Sequence, residues 1–239
     1  MDNYVVIDLE MTGLHPKQDA IIEIGALRVR NKKITEELRD FVNPSRALSE
    51  KTIELTGITQ LIAEQGITQE EALTLMVDFI GEDILVGHNI LFDYSFLKQL
   101  AVNRRTSFEK KAVDTLKLAR KFLPVPEKKS LDSLCEYYGF GRKQAHRALD
   151  DAKATMELYE MLEREYLAGN EKDFEPKDLL YRPKRQVPAT LVQKKHLKEL
   201  LDYHKIKLEL SLETITRSDA SRAIDRILSV YGRIPGDRK

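Results

Sequence analysis

Apolar positions fall into short strand-like runs over the first forty or so residues and into helical stripes over most of the rest. Val5, Val6, Ile7 and Leu9 in YVVIDLEMTGL make a β-branched run closed by Thr12 and Gly13, which predicts a first strand. AIIEIGALRVR (20–30) and KITEELRDFVNP (33–44) read as two further strands around a tight turn at Asn31 and Lys32, an antiparallel meander. The period then lengthens. Residues 49–56 and 68–80 have helical spacing, with Ala72, Leu75, Met76 and Phe79 on one stripe, and DILVG (83–87) is a short buried strand. FDYSFLKQLAV continues as a helix, KAVDT as a strand, and LKLARKF, SLDSLCEYY and residues 149–166 as helices. Strands interleaved with helices after a meander predict an α/β fold with a mixed sheet.

Residues 168–188 shift to Gly, Asn, Asp, Pro and Lys/Arg and read as a linker between a domain at 1–167 and a small helical hairpin at 189–239. In that hairpin Leu191, Leu197, Leu200 and Leu201 define one helix, and Ala220, Ala223, Ile224, Ile227 and Leu228 define another that ends at Gly232. The formal net charge of zero hides an asymmetry: residues 1–175 hold 24 Lys/Arg against 31 Asp/Glu, and residues 176–239 hold 15 against 8. A basic segment beside an acidic body suits either a polyanionic partner or plain solvated helix faces. The single Cys135 rules out an internal disulfide, and it sits in an amphipathic helix as a core residue. No apolar stretch approaches the roughly 18 residues of a membrane span, and the start lacks a basic, apolar leader, so a soluble cytoplasmic protein is expected.

Asp8 and Glu10 interrupt the first strand, and neither can cap anything there. Residues i and i+2 of a strand share a face about 6.6 Å apart, so the two carboxylates lie side by side, where mutual repulsion and desolvation call for a cation. Two more acids stand on apolar stripes: Asp93 with Leu97 and Leu100, and Asp151 with Thr155, Leu158 and Leu162. Either one alone reads more simply as a cap in a first helical turn. Together with the strand pair, they describe an oxygen-rich site suited to Mg²⁺ or Mn²⁺, and no Cys/His cluster points to zinc. His146 lies five residues before Asp151, in the loop entering the last long helix, from where it can lean over that site as a general base.

These segments resemble the three motifs of the DnaQ-like, or DEDD, superfamily of 3′–5′ exonucleases: DLEMTGL with Asp8 and Glu10, HNILFDYSFL (88–97) with Asp93, and HRALDDAKAT (146–155) with His146 and Asp151. The H-x-A-x-x-D pattern of the third fits the histidine branch. HNILFDYSFL and AVDTLKLARKFLPVPEKKSLDSLCEYYGF are most similar to the proofreading exonuclease domains of bacterial DNA polymerase III, of both the epsilon and the PolC type, whereas Met11 looks like oligoribonucleases. The resemblance covers roughly residues 1–167.

It implies an RNase H-like fold, a five-stranded mixed sheet with helices on both faces. It also implies hydrolysis of single-stranded DNA from the 3′ end to nucleoside monophosphates. Asp8, Glu10, Asp93 and Asp151 would hold two divalent ions, with His146 as base, and Met11, Thr12, Asn89 and Phe92 would form the pocket for the terminal nucleotide. Phe92 reads equally as the start of a core stripe with Phe96 and Leu100. Two other readings stay open: an exonuclease for RNA or short oligonucleotides, and an idle module docking on a replication or repair assembly through its C-terminal hairpin. The presence of all four acids and the histidine weighs against the idle module.

Overall fold

The computed structural model describes residues 1–141, 145–208, 211–213 and 215–235. Parity along β1 (Tyr4–Met11) organises it. Val5, Ile7 and Leu9 face one apolar cluster, with Met76, Ile80, Tyr94 and Leu97, whereas Tyr4 and Val6 face another, with Leu118, Leu134, Leu158 and Leu162. Strand β2 (Ile21–Arg30) pairs antiparallel with β1 and obeys the same division, Ile24 and Ala26 on the first side, Leu27 and Val29 on the second. A strand buried on both faces needs apolar residues at consecutive positions, which is why Val5–Val6–Ile7 runs without alternation. Each such side chain contributes about 1.5–3 kcal/mol on burial.

The β2–β3 hairpin (β3, Lys33–Phe41) turns at Asn31 and Lys32 with φ of 51° and 59°. Two positive φ values give the turn twist that suits a two-residue hairpin. Beyond it come α1 (Glu50–Thr56), α2 (Gln60–Glu64) and α3 (Gln69–Ile80), each capped by a Ser or Thr hydroxyl, at Ser49, Thr59 and Thr68. Strand β4 (Leu85–Gly87) pairs parallel to β1, α4 (Leu91–Arg104) follows, and β5 (Lys111–Asp114) pairs parallel to β4. Helices α5 (Thr115–Phe122), α6 (Leu131–Tyr138) and α7 (Ala148–Tyr166) complete the second face, with Cys135 buried in α6.

The sheet has six strands rather than the expected five, in the order β3-β2-β1-β4-β5-β6. The extra strand, β6 (Lys177–Asp178), pairs antiparallel with β5 inside the stretch read as a linker. Apolar anchors hold that polar stretch down: Phe174, in the short α8 (Glu171–Phe174), stacks on Phe122 with centroids 5.8 Å apart, and Leu179 is buried. The chain accordingly divides into two compact units, Met1–Pro44 with Leu48–Pro183, and Ser45–Ala47 with Lys184–Lys239. The second unit contains α9 (Leu191–His204) and α10 (Arg217–Tyr231), which bury Leu197, Leu200, Leu201, Ala220 and Ile227. Thr190 and Gln193 form a capping box on α9, and the Thr216 side chain caps α10. No described helix is long and apolar enough to cross a membrane.

Candidate active site

The even-numbered face of β1 turns from apolar to acidic toward the strand's carboxyl end. Tyr4 and Val6 pack under α7, and Asp8 and Glu10 continue the same face toward the amino end of that helix. Asp8 is paired with Gly25 and Glu10 with Glu23 on β2. The absent side chain at Gly25 lets α7 come close: a Cβ there would lie 2.3 Å from the Ala148 carbonyl carbon and 2.4 Å from the Leu149 nitrogen. Helix α7 therefore delivers Asp151 onto the acidic end of β1.

Oxygen or nitrogen atoms of Glu10, His146 and Asp151 all lie within 4.8 Å of one another. His146 precedes α7 with φ of 59°, and its backbone N–H donates to Asp151 Oδ2 at 3.2 Å. The histidine is thus placed by the carboxylate it accompanies. Its Nε2 stands 3.9 Å from Asp132 Oδ2, on the first turn of α6.

Asp93 arrives from the other side of β1. Strand β4 stops at Gly87, and the Leu9 N–H, beyond the reach of that ladder, donates instead to Asp93 Oδ1 at 3.0 Å. The bond fixes the carboxylate between the positions of Asp8 and Glu10. Asp93 is only 5 % exposed, and burial, reinforced by the negative charge of Asp114 and only partly offset by the Leu9 N–H, pushes its carboxyl up to about 7. A buried acid beside other acids is the environment that a cation relieves. Of the sequence-predicted acids, Glu10 and Asp151 come together with His146 as a group chemically able to hold a divalent ion, while Asp8 and Asp93 flank that group without belonging to it.

Met11 and Phe92 are partly buried against the first apolar cluster, and Phe92 packs edge-on against Phe96 at 5.5 Å. The core role and an exposed edge thus coexist in Phe92. Thr12 engages its hydroxyl within its own loop, donating to Asp19 Oδ1 at 3.2 Å and accepting from the Ala20 N–H at 3.0 Å. Asn89 has φ of 64° and donates its backbone N–H to Asp114 Oδ1, 3.0 Å away. It borders a cavity of about 790 Å³ that His88, Arg120, Lys129 and Ser130 also line.

Several residues around the site drew no attention in the sequence. Asp114 caps α5, holds Asn89 and raises the Asp93 carboxyl. His88 is bonded at both ring nitrogens, to the Thr115 hydroxyl (2.9 Å) and the Lys129 carbonyl (2.8 Å), and burial lowers its pKa. Glu23, fully buried, takes Arg147 through bonds of 2.9–3.3 Å, Arg39 at 2.9 Å and the Ala148 N–H at 3.2 Å. For Glu23 the signal was present: an acid within the apolar run IIEIGA, the same anomaly that marks Asp8 and Glu10.

Comparison with known proteins agrees with this geometry. A family model described as Exonuclease (RNase_T) matches residues 5–159. The PolC-type DNA polymerase III of Thermotoga maritima is 41% identical over 158 residues, 65% of this chain and 11% of that protein, so the match spans about a tenth of the PolC-type relative. The DNA polymerase III subunit epsilon of Aquifex aeolicus is 38% identical over 157 residues, 65% of this chain and 78% of that one. Among solved structures, exonuclease X in complex with 5′ overhanging duplex DNA superposes with a TM-score of 0.56 at 25% identity, over 68% of this chain and 92% of that one. The nuclease domain of 3′hExo, described as a DEDDh family member bound to rAMP, gives 0.59 at 22% identity over 74% and 96%, a likeness of fold. With the family model spanning the strand acids, Asp93, His146 and Asp151 alike, the chain belongs to this exonuclease family.

Proposed function

We propose that this chain hydrolyses phosphodiester bonds from the 3′ end of single-stranded DNA, releasing nucleoside monophosphates, with divalent cations of the Mg²⁺ or Mn²⁺ class as cofactors. The convergence of Glu10, His146 and Asp151 within 4.8 Å, at the carboxyl end of β1 that also carries Asp8 and receives Asp93, carries this reading. Asp8, Glu10, Asp93 and Asp151 would hold two such ions, which when bound supply Lewis-acid polarisation of the phosphodiester and a more acidic water.

The chain's own groups do the rest. A ring nitrogen of His146 takes the proton of the attacking water, and the Asp132 carboxylate faces the imidazolium that results. Asp151 holds the backbone of His146 so that the ring is presented rather than free to swing. Met11 and Phe92 offer apolar surface to the terminal base, and Asn89 and the backbone around Thr12 line the sugar end. The Thr12 hydroxyl, already engaged by Asp19, plays its part by holding the loop.

DNA is favoured over RNA because the polymerase III relatives are 38–41% identical and the exonuclease X neighbour is described with DNA. The basic second unit adds attraction for the strand or docks a replication or repair protein. Purified protein with 5′-labelled single-stranded DNA and matching RNA tests the reading, with Mg²⁺, with EDTA and with Asp8→Ala. A metal-dependent ladder that shortens from the 3′ end of DNA faster than of RNA, and is lost in the variant, is the expected result. Faster RNA decay would move the substrate to RNA, and intact strands of both kinds would refute catalysis.

A further inference from the structure

Helix α7 begins without a side-chain cap of its own, since its N-cap position is Arg147, whose side chain makes no capping bond. A 19-residue helix that must present an acid in its first turn is left with unsatisfied N–H groups next to that acid. One of them, the Ala148 N–H, is satisfied from another element: Glu23 Oε2 accepts it at 3.2 Å. The same carboxylate binds the Arg147 guanidinium through Nε and Nη2, and a second arginine, Arg39 from β3, closes over it. Arg147 and Arg39 also lie over the Phe41 ring, at 5.1 and 5.5 Å, which limits where the guanidinium groups can go.

Register gives this cluster its meaning. Glu23 is the cross-strand partner of Glu10, on the same face of the sheet, and Gly25 two residues on is the partner of Asp8. A like-charged pair directly opposite is destabilising unless one member is neutralised, and here two arginines do so for Glu23. We propose that Glu23 is a positioning residue for catalysis: by capping α7 from β2 and gripping Arg147, it sets the separation between Glu10 on the sheet and His146 and Asp151 on the helix entry. His146 and Ala148 flank Arg147 in the chain, so the segment is pinned on one side by Asp151 and on the other by Glu23. Loosening Glu23 lets the α7 entry rock about Gly25, where the backbones nearly touch.

The inference rests on reading Glu10, His146 and Asp151 as part of a divalent-cation site in an exonuclease, and the test separates the two ideas. Full-length protein carrying Glu23→Gln, Arg147→Met or both is titrated with Mn²⁺ alone, followed by calorimetry or electron paramagnetic resonance, and assayed on single-stranded DNA. Glu163→Gln serves as control: Glu163 is a buried carboxylate on α7, bonded to Lys32 at 2.9 Å and to the Tyr159 hydroxyl at 3.0 Å, and no part of the site. The expected result is Mn²⁺ binding about tenfold or more weaker in Glu23→Gln and Arg147→Met, kcat reduced at least about tenfold with KM within about twofold, and a double variant no worse than the worse single. Glu163→Gln lowers Tm without moving Mn²⁺ affinity.

A folded Glu23→Gln with Mn²⁺ affinity and kcat within about twofold of wild type overturns the proposal, as does an equal loss in Glu163→Gln. Should Glu23→Gln fail to fold, Arg147→Met decides by the same thresholds. A wild-type protein that binds Mn²⁺ but cuts no strand removes the functional reading, while the Mn²⁺ arm still tests the positioning.

Discussion

Replacing Asp93 by Asn removes the ionisable proton from one of the two buried site acids while leaving an acceptor for the Leu9 N–H. In the metal-free protein burial raises the Asp93 carboxyl to about 7, against 3.8 for an ordinary aspartate. The folded state therefore keeps a proton that the unfolded state has already lost anywhere between those values. Below about pH 4 both states are protonated and the group costs nothing; as pH climbs to about 7 stability falls, and above that the full penalty stands. A gap of about three pH units at 1.36 kcal/mol each makes it about 4 kcal/mol. Asp93 is nearly inaccessible, so solvent screening takes little from this figure.

Asp93→Asn carries no such penalty, and every other titrating group is common to both proteins. In EDTA the variant should match wild type near about pH 4 and exceed it by up to about 4 kcal/mol near about pH 8. Divalent metal should reverse the order, stabilising wild type more than the variant and releasing protons from Asp93 below about pH 7. Urea unfolding followed by circular dichroism, with tyrosine fluorescence as second probe because the chain has no Trp, reads all of this. If wild type and variant lose stability in parallel from about pH 4 to about pH 8 in EDTA, burial does not hold the proton on Asp93 and the argument fails.

Three other outcomes follow from the geometry. Gly25→Ala puts a methyl 2.3 Å from the Ala148 carbonyl carbon, so α7 must retreat by about 1 Å; a loss of about 1–3 kcal/mol and a kcat lower by about 10²-fold are expected, and a wild-type Tm and kcat would contradict the close approach. His146→Ala should lower kcat by about 10²–10⁴-fold at saturating Mg²⁺ with little change in KM, whereas a loss confined to KM would remove it as base. Truncation after Pro183, which spares the β6 edge, should raise KM for single-stranded DNA more than it lowers kcat and flatten the salt dependence; unchanged values would show that the second unit is no arm for the strand.

The elements legible in the sequence were those with a repeating apolar pattern, such as the β1–β2–β3 meander, α3 and α7. Helix α2 escaped because QLIAE is too short to show a period, although Thr59 caps it. Strand β6 escaped for a different reason: Lys177 and Asp178 are exposed, and what makes them a strand is backbone pairing to β5, which leaves no imprint on side-chain choice. The carboxylates stood out because charge inside an apolar run is costly and must be explained. Glu23 meets the same criterion, but its partners, Arg39 and Arg147, are 16 and 124 positions away, a neutralisation visible only once β2, β3 and α7 are packed.

Both helices that contribute acids to the site enter it amino end first, α4 with Asp93 and α7 with Asp151 in the opening turn. Aligned peptide dipoles place roughly half a positive charge at each such end. Together the two ends supply the equivalent of about one positive charge from the backbone itself, before any ion arrives. Unlike a bound cation, this compensation cannot dissociate. The pocket can therefore remain assembled between loading events, and the negative charge left over is what draws multivalent cations to it.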